Sequence, residues 1–360
     1  VGQRTAQPAA GATEVGEPPA DFARDGLPEL LDRQGRSYSY LRLSVTDRCD
    51  FACVYCMPPS GEDDHAERPE LLSFEESARL ARVLAASGID RIRFTGGEPL
   101  VRREVVRLVE LVARSTGLSD LVMTTNGNRL SDLALPLRRA GLSGVNISVD
   151  TLDATRFREI TRGGDLKRVL AGVHAAIDAG LEVKINAVLM RGINDGDAGA
   201  LVDWAFGLGI TPRFIELMPL GEAAKLPSSV FLSQAELVAL LGSRVRAIPN
   251  DEFVPVRGRG PARYLPASDG SRRKVGIISA VSNEFCASCN RLRVTARGDV
   301  RACLASRSAI SLRDLMRAGK SDRELAWAVH CALGTKLTGH AFTDAAVLEH
   351  THVGMSLVGG

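Results

Sequence analysis

From Tyr38 onward, short runs of apolar and β-branched residues alternate with longer segments whose apolar positions recur every three and four residues. Alternation of these two patterns is the mark of βα units and a parallel sheet. Strands are expected at 39–45, 91–95, 120–124, 144–149, 182–189 and 212–217, with helices at about 74–87, 103–114, 131–140, 166–179, 197–208 and 233–241. Six such units with right-handed crossovers fit two architectures, a doubly wound open sheet or a curved partial barrel, and periodicity alone does not choose between them.

In either architecture ligands bind at the carboxyl ends of the strands. Those ends are polar here: Thr46-Asp47-Arg48-Cys49, Thr95-Gly96-Gly97-Glu98-Pro99, Thr124-Thr125-Asn126-Gly127, Ser148-Val149-Asp150, and Glu216-Leu217-Met218, with Lys184 and Asn186 on the fifth strand. Each has a plain structural reading, such as a turn at Gly96-Gly97 or a solvated lysine. Their succession along one sheet, beside a cysteine loop, outlines a site. After residue 250 the pattern changes to stretches rich in Gly, Pro and Arg, with short strands near 275–281 and 291–296 and a helical tail. The expected organisation is a flexible leader over 1–35, a core over 36–250 and a smaller domain over 251–360.

The chain has 360 residues, 45% hydrophobic and 24% charged, which fits a globular protein and excludes a fibre. A net charge of +2 gives no long-range attraction for nucleic acid, so any anionic ligand must be gripped locally. No apolar run reaches the length of a membrane span, and a cytoplasmic location is expected.

Composition is most informative at cysteine. Six of the seven cysteines fall into two triplets, Cys49, Cys53 and Cys56 with C-x3-C-x2-C spacing, and Cys286, Cys289 and Cys303 with C-x2-C-x13-C spacing; Cys331 is left over as a small buried hydrophobe. Thiolates converging on a short loop bind soft or borderline metals. Three per site leave an open position on an iron-sulfur cube, whereas structural zinc takes four protein ligands, and no His lies near either triplet in sequence. At this level zinc remains open for the second triplet.

The run Cys49-Asp50-Phe51-Ala52-Cys53-Val54-Tyr55-Cys56 followed by Gly96-Gly97-Glu98-Pro99 resembles the radical S-adenosylmethionine superfamily. Further segments carry the likeness to residue 360: Leu41 to Arg48, Phe214 to Pro219, Gly260 to Tyr264, Phe285 to Arg293, and the terminal Gly359-Gly360. In combination they are similar to the GTP 3′,8-cyclase family of molybdenum cofactor biosynthesis, lyases that form a carbon-carbon bond.

The resemblance implies a partial (β/α)6 barrel with a smaller C-terminal α+β domain. It implies that Cys49, Cys53 and Cys56 hold a [4Fe-4S] cluster whose fourth iron binds S-adenosyl-L-methionine, contacted by Tyr55, Gly97, Ser148 and Met218. It assigns a second [4Fe-4S] cluster to Cys286, Cys289 and Cys303, facing guanine. Arg42, Arg93, Lys184, Arg291 and Arg293, with Thr124 and the intervening Leu292, are implied around GTP, where Arg offers paired donors to phosphate. The implied chemistry is hydrogen abstraction from ribose C3′ by a 5′-deoxyadenosyl radical and closure onto guanine C8, supported by Gly359 and Gly360 at the active site. Also implied are an electron donor and, downstream, cyclic pyranopterin monophosphate synthase; the chain is expected as a monomer or homodimer. Asp50 departs from the family's usual Asn. Rival readings are a radical enzyme acting on another substrate, such as a peptide, and a non-catalytic zinc-stabilised binding module.

Overall fold

A computed structural model of the chain describes residues 15–23, 26–61, 65–246, 248, 260–304, 309–339 and 355. All six expected βα units are present. Strands β1 (Tyr40–Ser44), β2 (Arg91–Thr95), β3 (Asp120–Thr125), β4 (Gly144–Ser148), β5 (Glu182–Val188) and β6 (Thr211–Ile215) pair in parallel in chain order. Helices α1 (Phe74–Ala86), α2 (Val105–Thr116), α3 (Leu130–Arg139), α5 (Leu166–Asp178), α6 (Ala198–Gly207) and α7 (Gln234–Leu241) follow them. A further helix, α4 (Ala154–Thr161), precedes α5. Its sequence ATRFREIT offers only Phe157 and Ile160 as an apolar stripe, too little for the periodic signal to register.

The strands beyond residue 250 extend the same sheet at both edges. Strand β8 (Lys274–Ile278) pairs parallel with β6, and β7 (Arg263–Pro266) lies antiparallel outside it. At the other edge β9 (Arg291–Val294) pairs parallel with β1, followed by antiparallel β10 (Asp299–Arg301) and β11 (Ile310–Ser311). The order is β11-β10-β9-β1-β2-β3-β4-β5-β6-β8-β7, an open sheet of eleven strands, as in a partial barrel. Helices α8 (Leu312–Arg317) and α9 (Asp322–Leu333) form the helical tail.

Strand side chains alternate between two environments. Leu41, Leu43, Ile92, Phe94, Ile147, Phe214, Ile277 and Leu292 are fully or almost fully buried in the main apolar core. The residues between them point to the other face, which carries the polar groups described below.

Described parts of the expected flexible leader are docked. Trp327 Nε1 on α9 donates to the Gly16 carbonyl at 3.0 Å, Phe22 packs edge-on to Trp327 at 4.9 Å, and Arg323 Nε donates to the Phe22 carbonyl at 2.6 Å. Isolated anchors of this kind leave no periodic trace, which is why composition alone reads the segment as loose.

Candidate active site

The loop after β1 carries the first triplet, and its path is fixed by the turn after β2. Gly97 N donates to the Thr46 carbonyl at 2.9 Å and Glu98 N to the Arg48 carbonyl at 2.8 Å. A Cβ on Gly96 would stand 2.3 Å from the Thr46 oxygen, and one on Gly97 2.4 Å from the Arg48 oxygen. The two glycines are therefore needed where backbone meets backbone, besides any ligand that Gly97 faces. From β3, Asn126 Nδ2 and the adjoining Asn128 Nδ2 donate to the two carboxylate oxygens of Asp50 at 2.7 and 2.8 Å. An Asn at position 50 would offer one acceptor oxygen instead of two.

Cys49, Cys53 and Cys56 line a cavity of about 340 Å³ at the carboxyl ends of the strands. Burial pushes the Cys49 thiol up to about 12, with Glu98 and Cys56 adding to it, and holds Cys53 well above its ordinary value. Three thiolates cannot be ionised together there unless a cationic centre compensates them. Three thiols on one loop fit a cube that keeps one iron open, whereas structural zinc takes four protein ligands.

Tyr55, Gly97, Ser148 and Met218 line the same cavity. The Tyr55 hydroxyl donates to Asp150 Oδ2 at 2.7 Å, and Val188 N donates to Asp150 Oδ1 at 2.8 Å. Burial raises the Asp150 carboxyl to about 6 against the pull of these two bonds. Glu98, 1% exposed, accepts from Leu100 N, the Thr125 hydroxyl and Asn126 N at 2.9, 2.8 and 2.6 Å. Its three donors are neutral, and burial lifts its carboxyl to about 7.

Deeper along the strands the face becomes cationic. Arg293, Arg42 and Arg93 stand opposite one another across β9, β1 and β2. Burial and then Arg293 depress the Arg42 guanidinium well below its ordinary value. Arg93 donates from Nε to the Tyr40 hydroxyl and from Nη1 to Thr124 Oγ1 at 3.1 Å. Burial alone would raise the Tyr40 phenol; Arg93 and Arg42 outweigh it and bring it down to about 8. Arg213 on β6 donates from Nε and Nη2 to Asn186 Oδ1 at 3.0 and 2.7 Å, and it too lines the cavity.

The second triplet closes the far end. Cys286 and Cys289 lie in the turn before β9, Cys303 follows β10, and all three line the cavity. Arg291 Nη2 and Lys336 Nζ approach Cys289 Sγ at 3.5 and 3.4 Å. Burial would raise this thiol, but the two cations bring it down to about 6, so it is ready to ligate. Arg36 Nη1 donates to the Cys286 carbonyl at 2.8 Å and Nη2 to the Leu337 carbonyl at 2.9 Å, tying the turn to the chain after α9.

Two expected substrate residues are not brought to the cavity. Leu292, 0% exposed, points into the apolar core because it alternates with Arg291 and Arg293. Lys184 points to the cavity face of β5 but pairs with Glu182 at 2.6 Å and does not reach the lining. Gly359 and Gly360 lie outside the described residues. Sequence reading passed over Arg36, Tyr40, Asn146, Arg213 and Lys336, all of which line the cavity. Strand alternation already marked Tyr40, beside Arg42, and Asn146, beside Ser148, as facing the site; no comparable signal marks Arg36 or Lys336.

Residues 43–205 match the Radical SAM superfamily and residues 210–342 match Molybdenum Cofactor Synthesis C. The chain is 44% identical over 326 residues to GTP 3′,8-cyclase 1 of Pseudomonas aeruginosa, covering 90% of this chain and 97% of that one. It is 42% identical over 336 residues to GTP 3′,8-cyclase of Caulobacter vibrioides, covering 92% and 94%. Among solved structures, SuiB of Streptococcus suis bound to S-adenosylmethionine has a TM-score of 0.57 at 16% identity, over 76% of this chain and 62% of that one, a likeness of fold. The chain belongs to the GTP 3′,8-cyclase family of the radical S-adenosylmethionine superfamily.

Proposed function

We propose that this chain is a GTP 3′,8-cyclase that converts GTP into (8S)-3′,8-cyclo-7,8-dihydroguanosine 5′-triphosphate, the first step of molybdenum cofactor biosynthesis. The observation that carries this reading is that two cysteine triplets and a row of arginines line one cavity. Cys49, Cys53 and Cys56 would hold one [4Fe-4S] cluster and Cys286, Cys289 and Cys303 the other. When bound, the first cluster and S-adenosyl-L-methionine supply the 5′-deoxyadenosyl radical that takes hydrogen from ribose C3′.

The chain's own groups then divide the work. Glu98, with neutral donors only, leaves its charge for an ammonium such as the methionyl amino group. Asp150 holds the Tyr55 ring in place, and Gly97, Ser148 and Met218 complete that end. Arg42, Arg93, Arg291 and Arg293, joined by Arg213, meet the triphosphate, and Thr124 keeps Arg93 aimed. The second triplet faces the base. Apolar walls at Phe51, Val188, Ile215 and Leu217 exclude water from the reacting carbon. Lys184, after exchanging Glu182 for phosphate, and the Gly359-Gly360 end are assigned supporting roles on the family's pattern.

No helix among the described residues is long and apolar enough to cross a membrane. The product would be consumed by cyclic pyranopterin monophosphate synthase. The test is anaerobic incubation with S-adenosylmethionine, a strong reductant and GTP, following 5′-deoxyadenosine and cyclised nucleotide by mass spectrometry with ATP as control. Formation of both only with GTP supports the reading. Formation of 5′-deoxyadenosine without a GTP-derived product overturns the substrate and moves it to another molecule, such as a peptide.

A further inference from the structure

The helix α4 ends against the first cysteine loop on a residue that is out of place for its conformation. Arg162, the C-cap of α4, has φ 53° and ψ 51°, in the left-handed region. Helices commonly turn off through such a position with Gly, or sometimes Asn, because a Cβ is disfavoured there. Glycine stands one residue on, at Gly163, yet the strained position itself carries an arginine. Among the described residues only Ala23 and Glu104 share a positive φ without being glycine.

The side chain supplies a reason. Arg162 Nη1 donates to the Ala52 carbonyl at 3.1 Å and to the Met57 carbonyl at 2.7 Å. Those two carbonyls bracket Cys53 and Cys56, so one guanidinium spans the segment that carries two of the three thiols. The last turn of α4 adds backbone bonds to the same loop, from Ala52 N to the Thr161 carbonyl at 3.1 Å and from Val54 N to the Ile160 carbonyl at 2.9 Å. Gly164 leaves room for Phe51, whose Cζ would lie 2.9 Å from a Cβ at that position. The Gly96-Gly97 turn and the end of α4 thus hold the loop through separate sets of bonds.

We propose that Arg162 is a positioning residue that fixes the span from Ala52 to Met57 and thereby the separation of the Cys53 and Cys56 thiols. The inference rests on the reading of the first triplet as a cluster site. Left-handed backbone is accepted at position 162 so that the guanidinium can reach two carbonyls that no side chain on the regular face of α4 meets.

The test uses full-length protein carrying Arg162→Gly or Arg162→Asn, two residues that accept left-handed backbone and lack the guanidinium. Hydrogen exchange by mass spectrometry is read over residues 49–58 in cluster-free protein, and loss of iron to a chelator, with the S-adenosylmethionine-dependent change in the reduced cluster's EPR signal, is read in reconstituted protein. Relief of the left-handed backbone offsets part of the loss of the two guanidinium bonds, so both variants are expected to fold. Both should exchange about tenfold faster in the loop and release the first cluster's iron faster. Wild-type exchange in both variants overturns the proposal, as does faster exchange with wild-type iron retention and EPR signal. A wild-type protein that takes up no iron at the first triplet overturns the cluster reading itself, and the loop exchange then reports the clamp alone.

Discussion

Glu98 is a carboxylate that the fold wraps in neutral donors and shields from water. Its value of about 7 lies above the ordinary 4.5, so between those pH values the folded protein keeps a proton that the unfolded chain has lost. Stability from this group is therefore full below about pH 4.5 and declines as pH rises toward 7. Glu98→Gln removes that titration. In cluster-free protein the stability advantage of wild type over the variant should shrink by at most about 3 kcal/mol from pH 4.5 to 7, at 1.4 kcal/mol per pKa unit. Urea melts at the two ends of the range check it, and a constant difference would count against the assignment. The Gly-Gly-Glu-Pro turn is legible in the sequence, with Gly97 implied there as a ligand contact. The closest neighbours of its two glycines are the Thr46 and Arg48 carbonyls, a contact between segments about fifty residues apart that no local pattern displays. Gly97→Ala is accordingly expected to displace the cysteine loop and lower iron content at the first triplet, measurable as iron per protein after reconstitution.

At the scale of elements the row formed by β9, β1 and β2 matters most. Arg293, Arg42 and Arg93 lie in register on adjacent parallel strands, and like charges so placed repel. Tyr40 offsets part of the repulsion by accepting from Arg93 and facing Arg91 and Arg93 with its ring at 5.5 and 5.7 Å. The row concentrates positive charge on one face of the sheet, as the proposed triphosphate site requires. On the proposed function, Arg42→Met is expected to weaken GTP binding about 10- to 100-fold, since a hydrogen bond to a charged group contributes roughly 1.5–3 kcal/mol. Calorimetric titration with GTP and with tripolyphosphate reads the effect, and unchanged affinity for both would count against a phosphate-binding role for Arg42. The strands of this row were legible, because alternation and the Arg-Leu-Arg segment place cations on one face. That β9 lies beside β1 was not, because register between strands some 250 residues apart is decided by tertiary packing. The same reason hid α4, whose two apolar residues acquire meaning only against the cysteine loop.

At the scale of the whole molecule the change of composition near residue 250 suggests a boundary that the sheet does not observe. Strands from beyond it sit on both edges of the parallel core, β8 against β6 and β9 against β1, and Ile277 and Leu292 are buried in the same apolar core as Leu41 and Phe214. The Molybdenum Cofactor Synthesis C match likewise begins at residue 210, before β6, and runs across the compositional change. Without the C-terminal strands, β1 and β6 would each present an unpaired backbone edge next to uncovered core side chains, which favours aggregation over an independent fold. The docked leader at Gly16 and Phe22 adds contacts to α9 from the opposite end of the sequence. Cluster-free full-length protein is therefore expected to unfold in one cooperative transition, with calorimetric and van't Hoff enthalpies equal, and a chain ending at residue 250 to be recovered insoluble or without a cooperative melt. Two separable transitions, or a soluble truncated chain with a sharp melt of its own, would show that the barrel core stands without the strands that complete its cavity. The substrate end could then be lost without unfolding the cysteine loop. A single transition would instead mean that the groups facing the base, the phosphates and the first triplet are formed in one folding event.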